Sequence, residues 1–330
     1  MKAAVYRRYG SPDRVRVEDV PVPEPGPGEV RIRVRAASLN PADVYMLRGW
    51  PYLFRALTGL RRPKNIGLGL DFAGVIDRIG DTTTDLRPGD AVFGELTTPL
   101  SGLTRAFAEY LCVPVDQLAR MPSALSFEEA ASLPIAGCTA LFAVQNFGGL
   151  RPGQQVLING AGGGIGIHAL QFAKHAGAIV TAVCSAEKAA MVRDLGADRV
   201  IDYRQQDFTA EDIRYDVIID LVSSRSLRQC RRVLAADGRF VWVGSAAPNG
   251  LFGPLRPALR VMLMSLFARR QRWNCVSSNT TATALKTLVD LLAQGAFRPV
   301  IGRRFPLSEV VDAIRYVETG HASGKVVISI

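Results

Sequence analysis

The chain has 330 residues, of which 48% are hydrophobic and 21% charged, and its formal net charge is +10. This composition excludes a disordered chain, and the length fits two domains better than one hydrophobic core. No apolar run approaches the ~20 residues that span a bilayer, and the N-terminal MKAAVYRRYG lacks the apolar core of a signal peptide. The basic residues are dispersed and accompany no recognisable nucleic-acid motif, so we expect no nucleic-acid partner.

Five cysteines are scattered along the chain, and no two of them form a C-x-x-C pair. An odd, dispersed set indicates a reducing compartment and argues against a disulfide framework or a zinc finger. We therefore expect a cytoplasmic protein. The cysteines are Cys112, Cys138, Cys184, Cys230 and Cys275.

Residues 1–120 are predicted to be rich in short strands separated by turns of Gly, Pro and Asp. In Glu29–Ala36 apolar residues alternate strictly with arginines, which is typical of a strand with one solvated face. Many short strands with such turns predict a compact, barrel-like fold. The predicted strands are Lys2–Tyr6, Glu29–Ala36, Phe72–Ile79, Ala91–Phe93 and Phe107–Cys112.

Ser126 and Glu129 have the spacing of a capping box, so a helix is predicted to begin there and to break at Pro134. A second helix carries Thr139 and ends near Gly148. Strands and helices then alternate, which predicts a parallel sheet covered on both faces. The later predicted elements are strands Val156–Asn159, Ile179–Cys184, Arg199–Ile201, Asp216–Leu221 and Arg239–Val243, helices Ala282–Gln294 and Ser308–Thr319, and a last strand, Lys325–Ile330, that we expect to rejoin the first domain.

The stretch Val156–Gly177 combines a short apolar strand, a glycine-rich turn and an amphipathic helix. Six of the seven residues that follow the strand are Gly or Ala. Glycines let the backbone approach a pyrophosphate, and the helix N-terminus offers free N–H groups to the anion. The first position of G-x-G-x-x-G is Ala161 here, and a spacing of Gly160, Gly163 and Gly166 also fits. We predict a dinucleotide-binding loop; the alternative is a tight strand–helix connection.

Eight short motifs occur in order along the chain: KAAVYRRYG near the N-terminus, Asn40-Pro41-Ala42-Asp43, Gly69-Leu70-Asp71-Phe72-Ala73-Gly74, Arg87-Pro88-Gly89-Asp90, Ala136-Gly137-Cys138-Thr139-Ala140, the glycine loop, Leu195-Gly196-Ala197-Asp198 and Gly324-Lys325-Val326-Val327. Together they resemble the medium-chain dehydrogenase/reductase superfamily over essentially the full length, in its branch of zinc-free quinone oxidoreductases. The resemblance implies an α/β protein with a GroES-like β-barrel domain and a Rossmann domain with a doubly wound parallel sheet. We assign residues 1–122 and 279–330 to the first domain and 123–278 to the second.

Zinc-dependent members of this superfamily carry Cys and His at the positions of Asn40 and Leu70. A catalytic zinc needs three protein donors around an open position, and a leucine side chain cannot ligate. The histidines of the chain are His168, His175 and His321, and we interpret them as surface or helix-face residues. We predict that the protein binds no metal.

NAD-specific Rossmann domains carry Asp or Glu at the end of their second strand, whereas this strand ends in Val183-Cys184-Ser185. The resemblance assigns Ser185, Lys188 and Tyr203 to the 2′-phosphate of NADPH. The alternative is that Ser185 only caps a helix and Lys188 is only solvated. The other predicted cofactor-binding residues are Asn40, Thr139, Gly160, Gly163, Gly164, Ile165, Gly166, Val243, Gly244 and Lys325.

Without zinc, the chemistry depends on groups placed around the nicotinamide. The resemblance implies that Asn40 faces the nicotinamide, and we select Asn40, Tyr45 and Tyr52 as catalytic candidates. The tyrosines either line the pocket, donate a proton or only pack, and Asp43 is interpreted as a structural hydrogen-bond partner. We predict an NADPH-dependent enzyme that reduces quinones or α,β-unsaturated carbonyl compounds. The alternative is an adaptor that binds nucleotide without useful turnover.

The segment Leu251–Trp273 mixes large apolar residues with arginines. Four interpretations remain open: a substrate lid, a dimer contact, a helix resting on an anionic membrane surface, or internal packing. The resemblance also implies a homodimer formed through the edge of the Rossmann sheet. We therefore expect a cytoplasmic homodimer that acts on a small electrophile and has this segment as a candidate peripheral membrane contact.

Overall fold

A computed structural model describes residues 1–96, 105–244, 255–268, 270–276 and 280–330. The chain divides into two compact units. Unit 1 comprises Met1–Ile135, Thr280–Asp290 and Pro299–Ile330, and unit 2 comprises Ala136–Asn279 and Leu291–Arg298.

The strands are, in chain order, β1 (Lys2–Tyr6), β2 (Val15–Asp19), β3 (Glu29–Leu39), β4 (Asp71–Ile79), β5 (Ala91–Glu95), β6 (Tyr110–Pro114), β7 (Leu118–Arg120), β8 (Gln155–Asn159), β9 (Ile179–Cys184), β10 (Arg199–Asp202), β11 (Tyr215–Asp220), β12 (Leu234–Trp242), β13 (Arg272–Cys275), β14 (Ile301–Pro306) and β15 (Lys325–Ser329).

The α-helices are α1 (Pro41–Arg48), α2 (Arg55–Thr58), α3 (Phe127–Ala131), α4 (Pro134–Leu141), α5 (Gly164–His175), α6 (Ala189–Asp194), α7 (Leu227–Val233), α8 (Leu255–Phe267), α9 (Ala282–Ala293) and α10 (Val310–Glu318). Helix α4 continues into a more widely wound π-helical segment, Phe142–Gly148. None of the described helices is both long enough and apolar enough to span a bilayer.

Unit 1 is built on a mainly antiparallel sheet in which the strand order is β14-β15-β3-β4-β5-β7, with β6 also paired to β3. Strand β3 shows the predicted alternation, because Val30, Ile32 and Val34 are buried while Arg33 and Arg35 are exposed. The final strand β15 pairs antiparallel with β3, which confirms that the chain returns to the first unit. The return matters for the site because it brings the C-terminal residues beside the end of β3.

Unit 2 contains a sheet of the order β10-β9-β8-β11-β12-β13, and every neighbouring pair in it is parallel. The middle strands are buried throughout, as in Val156–Ile158 and Val180–Val183. Parallel strands are connected through helices that cover the faces of the sheet, so such continuous apolar runs are expected. The predicted parallel sheet is confirmed.

The two units divide the chain differently from the predicted domains at two places. Residues 123–135 lie in unit 1, where Glu128 of α3 accepts hydrogen bonds from Ser329 and Arg304. Residues 291–298 lie in unit 2, where the Phe297 ring centre is 5.6 Å from that of His168 and 5.0 Å from that of Phe172. Contacts of single side chains place each segment in its unit. The composition of the two segments does not reveal these contacts.

The predicted strand Phe107–Cys112 is wrong at its start, because β6 begins only at Tyr110. The backbone of Phe107 and Ala108 pairs instead with β1, through a bridge between Ala3 and Ala108 and a bond from Ala4 N–H to Phe107 O of 2.8 Å. The apolar run therefore serves two different pairings in succession.

Four strands are absent from the sequence prediction: β2, β7, β13 and β14. Strand β14 reads IGRRFP and lies at the edge of its sheet, where Arg303 and Arg304 are exposed. An edge strand carries polar residues more readily than an inner one, so its sequence lacks the apolar pattern by which strands are recognised.

Candidate functional site

The glycine loop of unit 2 joins β8 to α5 through a turn that requires glycine at two positions. Gly160 has a φ of +93°, a left-handed conformation that favours glycine. A Cβ on Gly166 would lie 2.3 Å from Gly160 O and 2.7 Å from Ala161 Cα. Any side chain at position 166 would therefore push the helix away from the turn. The spacing that fits the structure is the one that includes Gly160 and Gly166.

The start of α5 is arranged to receive an anion. Gly160 and Ala161 N–H both donate to Val183 O at 3.0 Å, which ties the turn to the end of β9. The helical bonding begins where Ile167 N–H donates to Gly163 O at 3.0 Å. The N–H groups of the residues between, Gly164 to Gly166, precede the first turn's bonds and can bind a pyrophosphate.

Lys188 lies against the same loop. A Cβ on Gly162 would approach Lys188 Cδ to 2.6 Å, so the lysine stem crosses directly over this glycine. Burial lowers the pKa of Lys188, while the neighbouring Cys184 and Glu187 act in the opposite direction. Desolvation disfavours the charged ammonium, and a bound phosphate would offset that cost. The position suits a lysine that binds an anion beside the loop better than one that is merely solvated.

Ser185 and Tyr203 lie at the ends of adjacent strands. Strands β9 and β10 pair with Cys184 opposite Asp202, and Tyr203 N–H donates to Cys184 O at 3.2 Å. Ser185 is buried, and its side chain makes no capping bond to the short helix that follows it. Ser185 does stand at the N-cap position of that helix, and a side-chain hydrogen bond with Ser185 is the largest cause of the lowered pKa of Glu187. Its assignment to the cofactor stays a prediction.

Arg204 is a candidate that the sequence analysis missed. Its guanidinium lies 5.7 Å from the ring centre of Tyr203 and forms a 2.6 Å ion pair with Glu187. In the sequence, Arg204 could have been recognised as the cation that directly follows Tyr203. Both residues come just after β10, the strand that pairs with β9.

The remaining cofactor candidates of unit 2 lie at the ends of its inner strands. Trp242 Nε1 donates to Ser223 Oγ at 2.8 Å, and Ser223 Oγ donates to Gly244 O at 2.9 Å. Val243 N–H donates to Asp220 O at 2.9 Å. These bonds hold Val243 and Gly244 beside the carboxyl end of β11, the edge at which open α/β sheets bind ligands. Thr139 is buried in α4.

Unit 1 contains a buried charged cluster, the Asn40–Asp71–Lys325 cluster. Lys325 Nζ donates to Asn40 Oδ1 at 2.7 Å and lies 3.5 Å from Asp71 Oδ2. Asn40 Nδ2 donates to the same Asp71 oxygen at 2.9 Å. The cluster forms because β4 and β15 flank β3, so the first residues of both strands meet the residue that follows β3.

Further hydrogen bonds support Asp71. Ser38 Oγ donates to its Oδ2 at 2.8 Å, and Ile135 N–H donates to its Oδ1 at 3.0 Å. Burial raises the pKa of Asp71 and lowers the pKa of Lys325, and each charge counteracts the shift of the other. The opposite charges and the shared donors of this pair stabilise each other, whereas burial favours the neutral form of both groups. The cluster thus holds a lysine and a carboxyl group together inside unit 1.

The amide of Asn40 has a fixed orientation in this cluster. Its oxygen accepts from Lys325, and its Nδ2 points toward Asp71, with Ser38 O at 3.5 Å. The shorter of the two hydrogen bonds that Asn40 Nδ2 donates is therefore made to Asp71, within unit 1. The cation beside it, Lys325, is better suited than the amide to stabilise negative charge that develops nearby.

Asp43 lies beside this cluster and acts on the backbone. Its Oδ2 accepts from Asn40 N–H at 2.8 Å at the start of α1. Burial raises the pKa of Asp43 to about 7. Its place at the helix start accords with the structural role predicted for it. Burial likewise raises the pKa of Glu95, the cross-strand neighbour of Asp71, to about 7. The sequence analysis missed Asp71 and Glu95 as members of this group.

The two tyrosine candidates differ in their surroundings. Tyr45 lies on α1, and burial raises the pKa of its phenol, which keeps it protonated and able to donate. Tyr52 is 44% exposed, and the Arg55 guanidinium stacks 4.7 Å from its ring centre. The structure does not bring Tyr52 into the Asn40–Asp71–Lys325 cluster.

Comparison with known proteins decides the family. A family model described as the alcohol dehydrogenase GroES-like domain matches residues 26–123, and one described as a zinc-binding dehydrogenase matches residues 195–328. The 2-methylene-furan-3-one reductase of Solanum lycopersicum is 34% identical over 336 residues, which cover 99% of this chain and 79% of that protein. The chain belongs to the medium-chain dehydrogenase/reductase superfamily.

Two further similarities lie within the superfamily. The chloroplastic NADPH-dependent alkenal/one oxidoreductase of Arabidopsis thaliana is 33% identical over 340 residues, covering 99% of this chain and 79% of that protein. The solved structure of a quinone oxidoreductase from Coxiella burnetii matches with a TM-score of 0.87 and 32% identity, covering 100% of this chain and 99% of the other. The predicted superfamily, with its GroES-like and Rossmann folds, is confirmed.

The residues of this medium-chain dehydrogenase/reductase do not fit a catalytic zinc. Leu70 offers no donor atom, and the carboxylate of Asp71 is engaged by the cluster around it. Lys325 Nζ lies 3.5 Å from Asp71 Oδ2, so the place beside this carboxyl group is occupied by a protein side chain. In the ranges that the structure describes, no group of three or more His, Cys, Asp or Glu residues is arranged to hold a metal ion.

The histidines have different locations. His168 lies on α5 and is fully buried between aromatic rings. Of the two predicted places, a helix face or the surface, it occupies a buried helix face. His175 and His321 are exposed. Cys138 is fully buried.

Proposed function

We propose that this protein is an NADPH-dependent oxidoreductase that reduces quinones or α,β-unsaturated carbonyl compounds without zinc. The observation that carries the proposal is the Asn40–Asp71–Lys325 cluster, in which a buried lysine is hydrogen-bonded to the residue that stands where zinc-dependent members carry a cysteine. The activities by which two relatives are named, alkenal/one oxidoreductase and quinone oxidoreductase, support the same chemistry.

Unit 2 binds the cofactor in this proposal. The N–H groups of Gly164, Ile165 and Gly166 receive the pyrophosphate, and Lys188 with Tyr203 receives the 2′-phosphate. Ser185 adds a hydroxyl, and Arg204 adds a second cation at the same strand ends. Thr139, Val243 and Gly244 remain candidates for the nicotinamide half. When bound, NADPH supplies the hydride.

In this proposal, unit 1 supplies the charged and polar groups that surround the acceptor. No strong Lewis acid is present among its motifs to polarise a simple ketone, so the acceptor must already be activated by conjugation. Lys325 stabilises the negative charge that develops when an enone or quinone accepts hydride, and it holds the Asn40 amide in place. The proton that completes the reduction comes from water or from Tyr45 or Tyr52.

An assay with a panel of acceptors tests the proposal. We expect NADPH oxidation with quinones and short enones, and little reduction of NADP⁺ with saturated alcohols, because the motifs offer neither a zinc-ligand set nor a Ser-Tyr-Lys proton relay to activate an alcohol. The measurement is the change in nicotinamide absorbance with each compound. Alcohol oxidation together with inertness toward every quinone and enone would contradict the proposed chemistry.

Metal analysis is an independent test. Elemental analysis of the purified protein should find well under one zinc per chain, and a chelator should leave the activity intact, because Asn40 and Leu70 provide no thiolate or imidazole. Stoichiometric zinc that is lost together with activity would overturn the zinc-independent mechanism.

A second candidate function is a non-catalytic adaptor that binds nucleotide and acts through the Leu251–Trp273 segment. It is favoured by the exposed apolar side chains of α8. Detectable hydride transfer to any acceptor of the panel at a useful rate would exclude it. Both candidates share a cytoplasmic location and a homodimer formed through β13, the edge strand of the parallel sheet. Sedimentation velocity should give twice the mass of one chain.

A further inference from the structure

Helix α8 has two apolar faces. On one face Val261 is fully buried, and Ala258 and Met264 pack against the core of unit 2. The opposite face follows the spacing i, i+3, i+4, i+7, i+8, and each of its side chains is at least 46% exposed. We call it the outer face of α8; its residues are Leu259, Met262, Leu263, Leu266 and Phe267.

Such a face is not an ordinary surface. A helix that is hydrophobic all round is normally buried on all sides, whereas α8 is buried on one side only. Leu266 and Phe267 are 76% and 77% exposed at the end of the helix. Large apolar side chains that cluster on a surface mark a site of interaction, because leaving them in water costs free energy.

The charged residues of α8 and of the segment that follows it up to Trp273 are all positive. Arg256 and Arg260 are exposed on the same helix, and Arg270 and Arg272 are exposed just after it. The sequence from Leu251 to Trp273 contains no Asp or Glu. An apolar face bordered by arginines is the composition of helices that lie in the headgroup region of anionic membranes.

A segment of unit 1 has the same composition, and we call it the 52–64 segment. Its large apolar residues Tyr52, Leu53, Leu57 and Leu60 are 44–74% exposed. They are followed by exposed Arg61, Arg62 and Lys64. No acidic residue occurs between Asp43 and Asp71. Each of the two units therefore carries an exposed apolar and basic surface.

We propose that the outer face of α8 and the 52–64 segment dock on an anionic lipid bilayer. A second copy of the chain fits the outer face poorly, because a two-fold contact uses the same patch of both copies, and this patch carries Arg256 and Arg260 at its border and no carboxylate of α8. A bilayer offers anionic headgroups and acyl chains without requiring a complementary shape. The proposal does not depend on the enzymatic activity.

Co-sedimentation with vesicles tests the proposal with the full-length protein. We expect binding to phosphatidylcholine vesicles that contain about a third phosphatidylserine, and little binding to pure phosphatidylcholine. Raising NaCl from ~0.1 M to ~1 M should weaken the binding, because the screening length falls from ~10 to ~3 Å. Equal binding to both kinds of vesicle, or none to either, would overturn the proposal.

Variants of the outer face locate the contact. Arg256→Ala with Arg260→Ala should weaken binding about 25-fold, at about fivefold for each arginine near an anionic surface. Leu266→Asp with Phe267→Asp should weaken it by at least ~10-fold. The matched control is Val22→Asp, which changes another exposed apolar residue, at 42% exposure, and should leave binding unchanged. A control that lost binding equally would contradict a specific docking face.

Two further measurements separate the remaining outcomes. Leu57→Asp with Leu60→Asp should also weaken vesicle binding, and unchanged binding would remove the 52–64 segment from the contact. Sedimentation velocity on the Leu266→Asp, Phe267→Asp variant should show the wild-type mass. If the variant halved the mass and the wild type ignored vesicles, the outer face would hold a second copy, and the membrane proposal would be wrong. Circular dichroism of each variant checks that it is folded.

Discussion

Replacing Lys325 with methionine is expected to lower kcat by at least ~100-fold, the scale of losing one group that stabilises the charge of a transition state. Lys325 is the cation of the Asn40–Asp71–Lys325 cluster and donates to Asn40 Oδ1 at 2.7 Å. The substitution removes the amino group of Lys325 and with it the hydrogen bond that fixes the orientation of the Asn40 amide. The measurement is steady-state kinetics with an enone, together with NADPH binding by fluorescence. Binding should change much less than kcat, because the phosphates are held by unit 2.

A control is needed because removal of Lys325 leaves the Asp71 carboxylate buried without its cation, which destabilises the fold. The double variant Lys325→Met, Asp71→Asn removes both charges and should recover thermal stability without recovering kcat. Asn40→Ala, which keeps the lysine, should lower kcat more than it weakens NADPH binding. Wild-type kcat in the stable double variant would show that the cluster serves folding alone.

Replacing Lys188 with alanine is expected to weaken NADPH binding by about 10–100-fold, since a charge-assisted hydrogen bond contributes about 1.5–3 kcal/mol. The lysine stem crosses Gly162 of the glycine loop, and burial lowers the pKa of Lys188 in the absence of an anion. A bound 2′-phosphate would favour the charged ammonium and so offset the effect of burial. NADH lacks this phosphate, so its affinity should barely change. The measurement is titration of both cofactors by fluorescence or calorimetry.

Lys286→Ala is the matched control for charge, because Lys286 is an exposed lysine on α9 that pairs with Asp290. It should leave both affinities unchanged. Arg204→Ala should weaken NADPH binding less than Lys188→Ala does, because Arg204 also pairs with Glu187. Equal losses for NADPH and NADH in the Lys188 variant would show that this lysine does not recognise the phosphate.

The sequence predicts the parts of the fold in which one segment carries its own pattern. The β8–α5 loop is an example: its apolar run, glycines and helix follow one another within Val156–Gly177, and the structure has the same elements in that order. The capping box of Ser126 and Glu129 is another, because its two partners are three residues apart. Local patterns of this kind are visible without knowledge of the tertiary fold.

The buried cluster of unit 1 is a different case. Asn40 and Lys325 are separated by 285 positions and meet only because β15 returns to the edge of β3. Asp71 was visible in a motif, yet nothing near it in the sequence shows that its carboxylate would hold the Asn40 amide. Asn40 was predicted as a catalytic candidate that faces the nicotinamide, and its hydrogen bonds to Asp71 and Lys325 could not be predicted from the sequence. Such roles depend on which strands are neighbours, which periodicity does not reveal.

The proposed reaction requires that hydride passes from NADPH to a carbon of a conjugated acceptor. Transfer of deuterium from the cofactor to the product tests this step. The enzyme is given a short enone and NADPH deuterated at C4 on one face or the other, and the product is examined by mass spectrometry and NMR. The account predicts that one of the two cofactors places deuterium on the β-carbon of the saturated ketone, while a solvent proton appears on the α-carbon. Absence of deuterium from that carbon with both cofactors, in preparations that bind NADPH, would contradict it.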